Sequence, residues 1–125
     1  MKIFVKVFVV SLGGSLIVKD NLNIEFLKKF KRFIEYQISK HQRKFIIVCG
    51  GGKIARKYQR AAKSFNYISN DDLDWLGIYA TKLNAYFVYT LFKKYAYPKI
   101  IDNPTKKLNF KEKILIAAGW KPGFS

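Results

Sequence analysis

Two glycine-rich segments each follow a short apolar run, and both have the composition of a phosphate-binding turn. The first covers residues 11–15, Ser-Leu-Gly-Gly-Ser, and the second covers residues 50–56, Gly-Gly-Gly-Lys-Ile-Ala-Arg. Consecutive glycines at the start of a helix bind anions because no side chain blocks their N–H groups and the helix dipole adds positive charge. Two such turns predict two phosphate-bearing ligands held close together, as phosphoryl transfer requires.

Two charged side chains near these turns are candidates for contacting a nucleotide. Arg56 lies one turn inside the helix predicted after the second segment, where its guanidinium can reach a phosphate at the helix start. Without the glycines before it, Arg56 would be interpreted as a surface arginine like the other basic residues around it. Asp74 precedes Gly77 on another predicted helix, and a glycine inside a helix lets a ligand or a second backbone approach. A carboxylate at that position can accept hydrogen bonds from two ribose hydroxyls.

The predicted strands end where the glycine turns begin. Residues 3–10 and 45–49 are apolar and rich in β-branched side chains, which is typical of inner strands of a parallel sheet covered on both faces. Residues 114–118 form a third run of this kind, and it leads into a third glycine turn, residues 119–125. We therefore expect the three turns to meet at one edge of the sheet.

Helical periodicity separates these strands. The helices are predicted from Asn21 or Asn23 to about 42, over 53–64, and over about 70–95, and a brief strand is predicted over 99–101. We interpret Asp71 and Asp72 as the N-cap and first-turn acids of the third helix, which the helix dipole favours, in preference to metal ligands. Strands alternating with helices predict an α/β fold, a three-layer αβα sandwich with a mostly parallel central sheet.

Composition narrows the class of protein. Half of the 125 residues are hydrophobic, which suffices for the core of a single domain. Cys49 and His41 are the single residues of their types, so a disulfide framework and a zinc cluster within the chain are excluded. We interpret Cys49 as a small buried apolar residue and His41 as solvated.

The N-terminal apolar run is short and interrupted by Lys6, and it lacks a cleavage site, so it predicts a core strand and not a signal peptide. No stretch is long and apolar enough for a membrane span. These features predict a cytoplasmic protein. The net charge of +16 is compatible with anionic ligands, but the lysines are scattered, which argues against a nucleic-acid-binding stripe.

Taken in order, the motifs resemble those of the archaeal-type uridylate (UMP) kinases of the amino acid kinase superfamily. They comprise residues 12–15, 50–58, 74–85 and 118–125. The last of them is similar to the family's acceptor-phosphate turn and stops before its usual Thr-Asp. The resemblance covers essentially the whole chain and about the N-terminal half of the family's sequence. It implies one domain over residues 1–125, the acceptor-binding (UMP) half of the fold, with the C-terminal ATP-binding half absent.

The resemblance implies transfer of a phosphoryl group from ATP to UMP, giving UDP, with Mg²⁺ bound to the substrate. It assigns the ATP phosphates to Gly13, Gly14, Ser15, Gly52 and Arg56, of which Gly14, Ser15 and Arg56 have the catalytic role. It assigns UMP to Gly51, to Asp74 at the ribose, and to the third turn, Trp120, Lys121, Pro122, Gly123, Phe124 and Ser125. Trp120 stands where a smaller or more polar residue is usual, which bears on acceptor choice. The family's long helix includes Thr81, Lys82 and Asn84. For these three residues a structural role is at least as well supported as a role in ligand binding.

Alternatives stay open at the level of sequence. Other amino acid kinases, acting on carbamate, acetylglutamate or isopentenyl phosphate, share the glycine turns. The end of the chain inside the third turn also fits a non-catalytic fragment that binds UMP or assembles with a complementary C-terminal-half polypeptide. The resemblance implies a homo-oligomer, the family's hexamer, and neither a nucleic-acid nor a membrane partner is expected.

Overall fold

Among the residues that the structure describes, three parallel strands form one sheet. The computed structural model describes residues 5–103 and 110–122. The strands are β1 (Val7–Leu12), β2 (Lys44–Cys49) and β3 (Ile114–Ala117), and they lie in the order β1-β2-β3. Val7 lies opposite Lys44, and Phe45 lies opposite Ile114. The prediction of a parallel α/β fold is confirmed.

In the described part of the chain, four helices connect and cover the strands. They are α1 (Gly14–Ile17), α2 (Ile24–His41), α3 (Gly52–Ala62) and α4 (Asn70–Leu91). The one-turn helix α1 was not predicted, because four residues are too few to show a helical period. The predicted strand over 99–101 is reduced to a single parallel bridge between Ile101 and Ala117. Among the helices of the described residues, none combines the length and apolar character needed to cross a bilayer.

A capping box fixes the start of α4. The Ser69 side chain accepts a hydrogen bond from the Asp72 N–H at 3.0 Å, and the Ser69 N–H donates to the Asp72 carboxylate at 2.9 Å. Hydrogen bonds from Ser69, first from its backbone N–H, stabilise the charged carboxylate and hold the pKa of Asp72 below its ordinary value. Ser69 is therefore the cap, so the prediction that the Asp71–Asp72 pair supplies the cap is wrong, whereas the predicted place of these acids in the first turn is confirmed.

One face of the sheet carries the hydrophobic core. Side chains alternate along a strand, so Phe45, Ile47 and Cys49 of β2 share a face with Ile114 and Ile116 of β3. Helices α2 and α4 pack on this face, and their contribution to the core cluster is Leu27, Ile34, Ile38, Ala85 and Val88. Cys49 is buried as predicted, and burial raises the pKa of its thiol to about 12.

The position of β1 differs from the prediction. Its residues were expected in an inner strand covered on both faces, whereas β1 lies at an edge of the described sheet. Val7 and Val9 point to the face opposite the core and are 49% and 67% exposed. A continuous apolar run indicates a buried strand only when the neighbouring layer is present, and the described residues do not cover this side.

Candidate functional site

The first two glycine turns are in direct backbone contact. A Cβ added to Gly14 would lie 2.3 Å from the Gly52 nitrogen and 2.8 Å from the Gly50 carbonyl oxygen. A Cβ on Gly52 would lie 2.5 Å from the Ser15 nitrogen, and Gly52 also has a φ of +60°. Only glycine fits these two positions, because any side chain would collide with backbone. The starts of α1 and α3 are thereby held side by side.

A second close approach joins α3 to α4. A Cβ on Gly77 would lie 2.9 Å from the Gln59 side-chain nitrogen, which donates a hydrogen bond to the Leu73 carbonyl at 2.9 Å. A Cβ on Gly51 would lie 3.3 Å from the Gly77 carbonyl oxygen. Gly77 therefore permits the close approach expected from the sequence, and in this structure the group that approaches is the Gln59 side chain.

Helix α4 positions the second and third turns. The Asn84 side chain is 2% exposed and donates to the Gly50 carbonyl at 2.8 Å. The Thr81 hydroxyl accepts from the Gly119 N–H at 2.8 Å and donates to the Ile78 carbonyl at 2.6 Å. Two polar side chains one turn apart on α4 therefore hold turns that are far away in the sequence, and the structural role considered for them agrees with this geometry.

All three turns border one cavity of about 840 Å³ at the carboxyl ends of the strands. The turns contribute Gly13, Gly50 and residues 119–122, and α4 contributes Asp74, Gly77 and Thr81. Ligands of open α/β sheets bind at this end of the strands. The expected meeting of the three turns is confirmed for their described residues.

The predicted site residues other than Arg56 divide into three groups. Gly13, Asp74, Trp120, Lys121 and Pro122 line the cavity. Gly14, Ser15, Gly51 and Gly52 lie where the turns pack against each other and against α4. Gly123, Phe124 and Ser125 lie outside the described residues.

Arg56 lies at a separate groove of about 210 Å³ on α3. The groove is lined by Lys53, Arg56, Lys57 and Arg60, whose spacing places them on one face of the helix. The ion pairs found among the described residues, Lys31–Glu35 and Lys82–Asp102, do not involve these four side chains. This face of α3 is therefore strongly positive, next to the helix N-terminus.

Charge within the cavity is mixed. Asp74 is exposed, whereas the Asp102 carboxylate lies 3.4 Å from the Lys82 ammonium. The Lys121 ammonium stands 4.3 Å from the centre of the Trp120 ring, which orients a positive charge at the third turn. Within residues 5–103 and 110–122, no group of three or more acidic, histidine or cysteine side chains could hold a metal ion.

Sequence reasoning missed several residues that line the cavity. They are Ser11, Gln59, Asp102 and Asn103. Asp102 and Asn103 follow the brief strand predicted over 99–101, and the rule that ligands bind at the carboxyl ends of strands would have identified them. Gln59 carries no such signal, because only the crossing of α3 and α4 brings it to the cavity.

Comparison with known proteins gives consistent results. A model of the amino acid kinase family matches residues 6–115. The chain is 35% identical over 120 residues to the uridylate kinase of Thermococcus onnurineus, covering 92% of this chain and 51% of that protein. It is 33% identical over 117 residues to the uridylate kinase of Thermoplasma acidophilum, with 92% and 49% covered.

A solved structure shares the fold. The crystal structure of uridylate kinase from Archaeoglobus fulgidus matches with a TM-score of 0.76 and 29% sequence identity, covering 96% of this chain and 53% of that one. The chain thus spans about half the length of the curated relatives and of the solved structure that it matches.

Proposed function

Because this chain belongs to the amino acid kinase family, we propose that its cavity binds UMP and that it supplies the acceptor-binding part of a uridylate kinase. The reaction is transfer of the terminal phosphoryl group of ATP to UMP, giving UDP. The observation that carries the proposal is the meeting of three glycine turns at one cavity, at the carboxyl ends of three parallel strands. The relatives named uridylate kinase support the choice of acceptor. In this proposal residues 1–125 are one domain, the acceptor-binding half of the fold.

In this proposal UMP binds at the side of the cavity that α4 and the third turn form. The exposed Asp74 carboxylate accepts hydrogen bonds from the ribose hydroxyls. A charged acceptor forms stronger hydrogen bonds with these hydroxyls than a neutral acceptor would. Lys121 and the rest of the third turn neutralise the UMP phosphate, and Thr81 fixes that turn through the Gly119 N–H. Gly51 joins the UMP side through its backbone, and we assign Gly123, Phe124 and Ser125 to the same phosphate by resemblance alone.

In this proposal the first two turns bind the ATP phosphates. Gly13, Gly14, Ser15 and Gly52 present backbone N–H groups at the adjoining starts of α1 and α3, where both helix dipoles favour an anion. We assign Arg56 to the transferring group by resemblance alone, because its side chain lines a separate groove on α3 in this structure. Mg²⁺ neutralises phosphate charge when it is bound. In this proposal the ion is carried by the nucleotide phosphates, as the resemblance implies.

Catalysis in this proposal is positioning and charge neutralisation. Phosphoryl transfer needs donor and acceptor oxygens in line and positive charge around the moving group, and it needs no covalent intermediate on the protein. Burial raises the pKa of Cys49, one of the lining residues, to about 12, so this thiol stays protonated and is not a nucleophile here. The proposed catalytic groups are therefore Arg56 and the backbone at Gly14 and Ser15.

Two features predicted from the sequence stay predictions. One is the cytoplasmic location, and the other is a homo-oligomer or an assembly with a polypeptide that supplies the ATP-binding half. A role in UMP binding without turnover by this chain alone is the second candidate function. It is favoured by the position of Arg56, which lines a groove separate from the cavity.

Calorimetric titration with UMP, CMP, AMP and isopentenyl phosphate tests the proposal. We expect UMP to bind most tightly, and Asp74→Asn to weaken it by roughly 10- to 100-fold, because a charged hydrogen bond is worth about 1.5–3 kcal/mol. Asp71→Asn is the matched control, since Asp71 is an exposed carboxylate in the first turn of the same helix. Equal UMP affinity of the two variants would remove Asp74 from the site. Tighter binding of isopentenyl phosphate than of UMP would replace the proposed acceptor.

A further inference from the structure

Gln59 connects α3 to the peptide unit that precedes Asp74. Its side-chain nitrogen donates a hydrogen bond to the Leu73 carbonyl at 2.9 Å, and that carbonyl belongs to the peptide bond between Leu73 and Asp74. Gly77, one turn further along α4, leaves room for the amide, since a Cβ there would lie 2.9 Å from the same nitrogen. Gln59 is half-buried and lines the cavity together with Asp74. Its amide is therefore held at the level of Asp74 along α4.

The bond to Leu73 also fixes which way the amide faces. A glutamine amide has a donating nitrogen and an accepting oxygen of similar size, and it can turn over to suit its partner. The Leu73 carbonyl only accepts, so the nitrogen of Gln59 must face it. The hydrogen bonds found within residues 5–103 and 110–122 use one of the two N–H groups of this nitrogen. The second N–H is a donor with a fixed position, which a ligand in the cavity can use.

The hydroxyls of a ribose need donors as well as acceptors. This step rests on the proposed function, in which Asp74 binds the ribose and the third turn binds the phosphate. A hydroxyl donates one hydrogen, and its oxygen accepts others. A carboxylate only accepts, so Asp74 takes the hydroxyl hydrogens and leaves the hydroxyl oxygens without a donor. Thr81, which holds the third turn, lies about 10 Å along α4 from Asp74, so the sugar and not the phosphate lies at the level of Gln59.

We propose that Gln59 is a second ribose-binding residue of this cavity and selects ribonucleotides against deoxyribonucleotides. The second N–H of its amide donates to the oxygen of a ribose hydroxyl whose hydrogen Asp74 accepts. A nucleotide without that hydroxyl forms neither bond and leaves the N–H of a half-buried amide without its partner. A site built to hydrogen-bond a hydroxyl rejects the analogue that lacks it for this reason.

Calorimetric titration of the 125-residue chain with UMP, 2′-deoxy-UMP and 3′-deoxy-UMP tests this proposal. We expect UMP to bind most tightly. In Gln59→Met, which keeps the length of the side chain and removes its amide, UMP affinity should fall roughly 3- to 10-fold, because a neutral hydrogen bond is lost. The affinity for one of the two deoxynucleotides should change by less than about twofold, because the hydroxyl that Gln59 binds is already missing there.

Gln37→Met is the matched control. Gln37 is also a half-buried glutamine on a helix, and its side-chain oxygen accepts a hydrogen bond from Arg43, but it does not line the cavity. We expect this variant to keep all three affinities. Thermal unfolding shows that each variant is folded at the temperature of the titration. A loosened contact between α3 and α4 would weaken all three ligands by the same factor, whereas loss of a hydroxyl contact changes the ratio of their affinities.

Nuclear magnetic resonance of the unaltered chain gives a readout that needs no variant. We expect the side-chain amide signals of Gln59 to shift when UMP is added, by more than those of Gln37. The shift should be smaller with the deoxynucleotide that lacks the hydroxyl bound by Gln59.

Several results would overturn the proposal. They are an equal loss of affinity for all three ligands in Gln59→Met, an unchanged UMP affinity in that variant, and Gln59 amide signals that do not move at saturating UMP. Equal binding of UMP and both deoxynucleotides by the unaltered chain would also overturn it, while leaving UMP binding by the cavity intact. Absence of UMP binding to the unaltered chain would overturn the proposed function itself, and this proposal with it.

Discussion

Gly13 and Gly14 are neighbours in the first turn, yet a side chain would meet opposite surroundings at the two positions. Nothing lies within 4 Å of a Cβ added to Gly13, whose φ of −58° and ψ of 141° suit any residue. A Cβ on Gly14 would collide with backbone atoms at all three residues of the second turn, Gly50 to Gly52. The first glycine leaves space beside the cavity, and the second permits the contact between the turns.

At the scale of the residue, we therefore expect Gly14→Ala to destabilise the fold and Gly13→Ala to leave it nearly unchanged. Forcing a methyl group into packed backbone costs about 1–3 kcal/mol, and here no flexible side chain can move aside. Chemical denaturation of both variants measures the difference in the free energy of unfolding. Similar values for the two would show that the turns do not touch in solution.

At the scale of the element, α4 organises the candidate site through polar side chains that face the turns. Thr81 and Thr90 provide an internal comparison, since each hydroxyl donates to the carbonyl three residues earlier at 2.6 Å. Within the described part of the chain, only Thr81 also accepts a hydrogen bond from another segment, the Gly119 N–H. The difference between the two threonines is therefore the attachment of the third turn.

Replacement of each threonine by valine isolates that attachment, because valine has the same shape and lacks the hydroxyl. We expect Thr81→Val to lower the free energy of unfolding by about 1–2 kcal/mol and to weaken UMP binding, since the Gly119 N–H loses its acceptor. Thr90→Val at an exposed position should change stability by no more than about 0.5 kcal/mol. Thermal unfolding and calorimetry measure both effects. Equal behaviour of the two variants would show that the third turn is held by other contacts.

At the scale of the whole molecule, 24 basic and 8 acidic residues give a strong excess of positive charge. The ion pairs of the described residues, Lys31–Glu35 and Lys82–Asp102, neutralise little of this charge, and the basic face of α3 concentrates part of it. Like charges on a compact chain repel one another, and dissolved salt screens the repulsion.

The unfolding temperature should therefore rise with salt. Raising the ionic strength from about 0.01 M to about 0.15 M shortens the Debye length from about 30 Å to about 8 Å, below the spacing of many surface charges. Thermal scans in sodium chloride measure the effect, and potassium chloride is the control, because screening depends on ionic strength and not on the cation. A lower unfolding temperature in salt would mean that attractive charge pairs outweigh the repulsion.

The sequence by itself determined the local structure and the composition of the turns. Short apolar runs rich in β-branched residues identified β2 and β3, helical spacing identified α2, α3 and α4, and the glycines marked the turns, because each of these patterns reflects forces between near neighbours in the chain. The family was recognised from the same residues, since the motifs preserve both type and spacing. The edge position of β1 could not be predicted from the sequence. An apolar strand has the same residue pattern whether or not the layer that covers it is present.

Only the tertiary structure decided how the elements meet. Asn84 reaches a carbonyl 34 residues away and Thr81 reaches an amide 38 residues away, and no local pattern encodes either bond. The same holds for Gln59 beside Gly77, for Arg56 on a groove apart from the cavity, and for the exposed valines of β1. Spacing along the chain fixes which face of a helix or strand a side chain occupies, whereas the packing of helices on the sheet fixes what that face touches.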